Sequence, residues 1–437
     1  MSAFDRIIGY ASEKRDLEQI ADVLSNGEVY KALGVSSPRG LLLHGEPGVG
    51  KTLMAGAIIE ESGRPVFTCR KDLPDGEFIK ALKATFDEAA KNAPSIVFLD
   101  DMDKFANGDE KHCNEEAYVT VQSCIDAVKG IEVFVLATAN DLDNLPDSLL
   151  RAGRFDRVIE IEAPQGEDAE KIIEHYLNGK RFVKDIDSRV IARIMSGRSC
   201  AALETVINEA GLIAGGERAS EITMDHFIEA CLKTLYDVPL DFFNKHEHSL
   251  PSINLSDSGS TGTQIVYHEA GHAVVSEVLC PESVTLISAY SKKGQNGGFT
   301  SYHNDMTWTP LQWQKRFIIG SLAGMATQEQ KFGVLDNGNA SDLDKAFEGV
   351  QELVANECVC GFPLHQTGWR SSETLHARQE QAIASEVEMY YRKAKEILAL
   401  NSDFLEKLAR ALGEKGVLTM ADIQEIKRGC RIVPVAV

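Results

Sequence analysis

The chain has 437 residues, enough for two or three cores, and its 43% hydrophobic content is that of an ordinary globular protein. With 66 acidic against 45 basic residues the formal charge is −21, which argues against nucleic acid or an anionic membrane surface as a partner and is compatible with protein partners. An odd number of cysteines, nine, without regular spacing or a signal peptide predicts reduced thiols in the cytoplasm, and the lack of any run of 18 apolar residues predicts a soluble chain with no membrane span.

Residues 1–178 alternate short β-branched runs with helical patterns, the sign of a parallel sheet with helices on both faces. Strands are predicted at Gly40–His44, Pro65–Cys69, Ser95–Leu99, Glu132–Thr138 and Arg157–Ile161, with a helix over Gly76–Lys91 that aligns Phe78, Leu82 and Phe86. The first strand runs into Gly45-Glu46-Pro47-Gly48-Val49-Gly50-Lys51-Thr52, a G-x-x-x-x-G-K-T loop. Its glycines let backbone N–H groups curl round phosphates, Lys51 reaches the β- and γ-phosphates of ATP, and the Thr52 hydroxyl ligates Mg²⁺. An incidental glycine-rich turn is the alternative. The strand before Asp100-Asp101 ends in two carboxylates, Asp100 to hold Mg²⁺ and Asp101 to polarise the attacking water. Buried strands with solvated acids at the tip are common, but here the pair follows a phosphate loop. A further strand ends at Asn140, whose amide is expected near the γ-phosphate or the water. The turn Arg151-Ala152-Gly153-Arg154 offers two arginines suited to act across a subunit boundary as arginine fingers, or else to make surface ion pairs.

From residue 179 to 235 the β pattern stops, and Val190, Ile194, Leu203, Ile207 and Ala210 keep helical spacing, as a small lid does. Residues 236–263, with Pro239, Pro251 and the run Ser256–Gly262, read as a linker. Residues 264–437 are mostly helical in pattern, with a small sheet expected in Ser283–Tyr302. Within them stands His268-Glu269-Ala270-Gly271-His272. Residues four apart share a helix face, so the two histidines can chelate one Zn²⁺ with Glu269 beside it as general base toward the attacking water. A helix carrying two exposed histidines is the bland alternative. Gly271 lowers helix propensity, which is odd unless something approaches the backbone. Cys358 and Cys360, lacking a second pair, are weak metal evidence.

Arg151–Arg157 resembles the second region of homology of AAA+ ATPases, and with the His268–His272 motif the chain from Phe4 to Arg428 resembles the FtsH family of ATP-dependent zinc proteases. The resemblance implies an AAA+ α/β domain of five parallel strands, a helical lid, a mainly α-helical zinc metalloprotease domain, and a homo-hexameric ring that degrades proteins or peptides. It lacks the family's membrane-anchoring N-terminal region and is expected to be a soluble relative. It also implies adenine packing at Ile8 and Gly9, and one Zn²⁺ per subunit. For the third zinc ligand it points to Asp342 in Gly338-Asn339-Ala340-Ser341-Asp342-Leu343, with Asp336 and Glu329 as fallbacks. Ser341 capping a helix, with Asp342 and Asp344 favouring its dipole, is an alternative that can hold together with ligation.

Two departures stand out. Asp101 replaces the family's glutamate, a carboxylate one methylene shorter, so hydrolysis is expected to be slow. The aromatic–apolar–glycine pore loop is replaced by Pro74-Asp75-Gly76, leaving Leu73 or Phe78 to grip substrate. Three readings follow: an ATP-dependent endopeptidase for unfolded or loosely folded proteins, a peptidase that nucleotide binding organises with little pulling, and a non-proteolytic remodelling protein. The intact Glu269 disfavours the last, since a structural metal needs no base.

Overall fold

The computed structural model describes residues 2–105, 115–151, 153–183, 186–238, 252–291, 297–303, 310–333, 339–367 and 371–437, apart from the side chains of Asp75 and Glu115. The chain forms two compact units, one of Met1–Gly179 with Gly197–Thr205, the other of Lys180–Ser196 with Val206–Val437.

The first unit is built on a parallel sheet of β1 (Gly40–His44), β2 (Val66–Cys69), β3 (Ser95–Leu99), β4 (Val133–Ala139) and β5 (Arg157–Glu160), in the order β2-β3-β4-β1-β5. Every residue of β3 and β4 is buried, as expected of central strands covered on both faces, whereas the edge strands β2 and β5 are largely exposed. Register does the work of assembly. His44 pairs with Ala139 and Leu99 with Ala137, so the segments leaving β1, β3 and β4 emerge side by side at the carboxyl edge of the sheet. The helix Asp75–Lys91 turns Phe78, Leu82 and Phe86 into the core. Phe78 is 1% exposed and meets the Phe105 ring edge-on at 4.8 Å. This corrects the expectation that Phe78 stands in as a grip, because an aromatic side chain so enclosed is part of the packing; Leu73 does remain exposed. Pro74 directly precedes the helix, so Asp75 and Gly76 form its first turn.

In the second unit, helices Ser188–Ile194 and Met224–Tyr236 belong to the stretch read as a lid. The central element is the helix Thr261–Leu279, capped by Ser260, whose hydroxyl accepts from the Thr263 N–H at 3.1 Å. The serine-glycine run read as linker thus ends inside this cap. Of the helix's 19 residues 14 are buried, the state of a helix packed all round. Helices Leu311–Ser321, Ala323–Phe332, Glu373–Leu400 and Ser402–Lys415 surround it. A small antiparallel sheet, β7-β6-β8, joins β6 (Val284–Ser288), β7 (Phe299–Tyr302) and β8 (Val417–Thr419). Among the described residues no helix is long and apolar enough to cross a membrane.

Candidate functional site

The loop after β1 leads directly into the helix Lys51–Ser62. Gly45, Gly48 and Gly50 all have positive φ, and a Cβ on Gly45 would lie 2.1 Å from the Ile161 carbonyl oxygen, so this loop admits no side chain there. Lys51 Nζ donates to the Gly45 and Glu46 carbonyls at 2.6 and 2.8 Å and to Asn140 Oδ1 at 3.0 Å. Burial pulls its pKa below lysine's ordinary value, against the opposing charges of Asp101 and Asp103. Beside it opens a cavity of about 640 Å³ that Ile8, Pro47 to Thr52, Asp101 and Asn140 line.

The two acids at the end of β3 have different surroundings. Asp100 is 2% exposed; it accepts from Thr138 Oγ1 at 2.9 Å and pairs with Arg70. Asp101 faces the cavity, with its carboxylate 2.6 Å from Lys104 Nζ. Gly9 does not line this cavity; its φ of 70° and the Asp168 Cβ 3.0 Å from where its own Cβ would be fix the turn next to Ile8. Arg154 is tied within its own unit to Asp126 at 2.9 Å and to the Ser148 carbonyl, while Arg151 is exposed. Neither arginine lines the cavity. Tyr10 and Cys200 do, with the phenol oxygen and thiol 3.4 Å apart, and no sequence pattern pointed to them.

In the other unit, the four-residue spacing on the helix Thr261–Leu279 brings His268 Nε2 and His272 Nε2 within 2.9 Å. Asp342, in the first turn of the helix Ala340–Ala355, sets its Oδ2 3.1 Å from each. A tetrahedral zinc ion with bonds of about 2.0–2.1 Å holds its ligand atoms about 3.3 Å apart, so this triangle of two imidazoles and one carboxylate fits zinc after a slight expansion. His272 Nδ1 lies 2.8 Å from the Gly320 carbonyl, which can only accept; that nitrogen carries the proton and the Nε2 lone pair faces the triad. Burial pushes the Asp342 carboxyl up, but in the absence of metal the two imidazoles against it, when protonated at Nε2, override that by hydrogen bonding and positive charge and hold it well below the ordinary carboxylate range. Among the described residues this is the one group of three or more such side chains close enough to share a metal ion.

Glu269 is buried beside the triad, and Thr300 Oγ1 on β7 donates to its Oε2 at 2.8 Å. A cavity of about 680 Å³ opens over His268, Glu269, His272 and Asp342. Of the fallback ligands, Glu329 lies outside the triad, held by Lys395 at 2.7 Å and by the Tyr391 hydroxyl, and Asp336 lies outside the described residues. Ser341 is not the helix cap: the helix starts at Ala340, so its hydroxyl comes too late to serve as N-cap.

Glycines that carry no motif shape this centre. A Cβ on Gly324 would fall 2.5 Å from both His268 Cε1 and His272 Nε2, and one on Gly298 would fall 2.6 Å from Glu269 Cγ. Gly271 answers to the helix packed across it, since its Cβ would lie 2.0 Å from Thr327 Oγ1 and 2.9 Å from the Ala323 carbonyl. Gly271→Ala is therefore expected to destabilise the protein by about 1–3 kcal/mol, an overpacking cost, measured by denaturant unfolding against the parent.

Residues 41–163 match the model of the ATPase family associated with various cellular activities (AAA), and residues 258–426 that of peptidase family M41. The ATP-dependent zinc metalloprotease FtsH of Caldicellulosiruptor bescii is 29% identical over 461 residues, spanning 97% of this chain and 71% of its own length. FtsH 2 of Symbiobacterium thermophilum is 30% identical over 453 residues, spanning 97% and 74%. A phosphate-loop ATPase and a His-His-Asp centre with an adjacent glutamate, matched in that order across nearly the whole chain, make it a member of the FtsH family of ATP-dependent zinc metalloproteases.

Proposed function

We propose that this protein works as a homo-hexameric ring that uses ATP to degrade unfolded or loosely folded proteins in the cytoplasm. The reading is carried by the His268–His272–Asp342 triad with Glu269 beside it, in one chain with a phosphate loop. Its proposed division is an ATPase domain over residues 1–178, a lid over 179–235, a linker over 236–263 and a protease domain over 264–437. Eight described cysteines are free thiols, which supports a reducing compartment.

In the proposed mechanism His268, His272 and Asp342 hold zinc, which when bound polarises the scissile carbonyl and acidifies the attacking water. Glu269 takes the proton from that water and delivers it to the leaving amine. Thr300 fixes the carboxylate through Oε2. At the other site the loop from Gly45 to Thr52 holds the phosphates of ATP, Lys51 exchanging its bonds to the loop carbonyls for phosphate oxygens. Asp100 and Thr52 would hold Mg²⁺, Asp101 and Asn140 orient water, Ile8 packs the base with Gly9 shaping the turn beside it, and Arg151 and, once released from Asp126, Arg154 reach a neighbouring subunit's nucleotide.

One observation favours a second reading, a peptidase that nucleotide binding organises with little pulling. Asp101 is shorter than glutamate and already paired to Lys104, and Phe78 is locked in the core. A single assay separates the readings. Degradation of casein by the pure chain is expected to stop with a zinc chelator and to slow about tenfold or more when a non-hydrolysable analogue replaces ATP. Equal rates with ATP and analogue establish the second reading instead.

A further inference from the structure

Glu269 is held from β7, and β7 is held from outside the protease helices. Successive residues of a strand face opposite sides. On one side, Gly298 closes against the Glu269 side chain and Thr300 donates to it. On the other, Phe299 stacks face to face on Tyr236, ring centroids 3.8 Å apart and planes within 11°. The Tyr236 hydroxyl also bonds Ser301 Oγ at 3.2 Å. Tyr236 is the last residue of the helix Met224–Tyr236, which the sequence assigns to the ATPase lid up to residue 235, and the first residue of the stretch read as a linker. It does not stand alone. Ile228 and Leu232 of the same helix, with Val238, form a buried cluster with Leu286 of β6, and Phe299 and Val417 pack on it.

A clamp matters here because β7 is short and at an edge. It has four residues and, among the described residues, pairs with β6 alone, with a register irregularity between Val284 and Leu286. Such a strand has ladder bonds on one side only and frays easily. Its position decides whether Thr300 stays within hydrogen-bond reach of Glu269, now 2.8 Å away.

We propose that Tyr236 is a positioning residue for peptide hydrolysis: by stacking on Phe299 and bonding Ser301 it holds β7 so that Thr300 and Gly298 aim the Glu269 carboxylate. The proposal rests on Glu269 being the general base. It gives the lid helix a part in setting the protease rate that no residue of the His-Glu-x-x-His motif reveals.

The test uses the zinc-loaded full chain and a short fluorogenic peptide, with zinc content and ATPase rate measured on every variant. Tyr236→Ala is expected to lower kcat about fivefold or more with KM changed less than about twofold, and to speed amide hydrogen exchange across residues 297–303. Tyr236→Phe keeps the stack and is expected to restore most of the rate. Combining Tyr236→Ala with Thr300→Val is expected to cost less than the product of the two single losses, since both act on one carboxylate. Exchange and kcat like the parent's in Tyr236→Ala overturn the proposal, as does a Phe variant as slow as the Ala variant. Glu269→Gln run alongside distinguishes the failures. If it stays active the base assignment is wrong and the proposal goes with it; if it is inert while Tyr236→Ala behaves as parent, only the clamp is wrong.

Discussion

Glu269→Gln is expected to lower peptide cleavage by about 10²–10⁴-fold while leaving zinc content, nucleotide binding and ATPase rate at the parent's level. The size is that of a lost general acid–base. The reason the other properties should survive lies in the geometry. Glu269 Oε2 takes a hydrogen bond from Thr300, and an amide oriented with its oxygen toward Thr300 keeps that bond. The triad of His268, His272 and Asp342 closes without Glu269, each pair of their donor atoms lying within 3.1 Å. What the amide cannot do is accept a proton at neutral pH. Substrate binding is therefore expected to persist, so kcat falls and KM stays near its parental value. A variant that cleaves at the parent's rate with zinc bound would remove the general-base role, whatever the family resemblance.

The chemistry-bearing side chains were the legible part of this molecule, because spacing alone constrains them. Two histidines four residues apart and a glycine-rich loop ending in Lys51-Thr52 are patterns with a physical cause, and the structure sets their atoms side by side. Asp342 was different. It is far from the motif in sequence, and only a resemblance could single it out among many acids; its placement depends on how the helix Ala340–Ala355 packs. The supports of the site left no trace at all. Gly320 acts through its carbonyl, and Gly298 and Gly324 act by having no side chain, so nothing about their identity marks them. Strand β8 was missed for a related reason: three residues long, it is a strand only because β6 is there to pair with it. Phe78 shows which kind of signal to trust. The helical stripe of Phe78, Leu82 and Phe86 correctly gave a core face, while the idea that Phe78 grips substrate had only its aromatic character behind it.

Gly324→Ala is expected to empty the metal centre, although residue 324 is itself no candidate ligand. One added methyl carbon would stand 2.5 Å from His268 Cε1 and His272 Nε2 and 2.6 Å from His268 Nε2. Real Cβ contacts of that length do not occur, so one element has to move. The backbone of residue 324 cannot retreat easily, because Ala323, Ala326 and Thr327 around it are buried against the Thr261–Leu279 helix. The imidazoles are the softer partner, yet His272 is pinned through Nδ1 to Gly320, so its displacement also breaks the bond that fixes its tautomer. Disturbing ligand orientation in this way costs about 10- to 100-fold in metal affinity. The measurement is zinc per subunit after dialysis against a buffered low zinc concentration, with circular dichroism to verify the helices. The expected result is a folded protein that has lost zinc and peptide cleavage together, with its ATPase rate intact. Full zinc occupancy in that variant would mean that the imidazoles sit further from residue 324 than the structure has them.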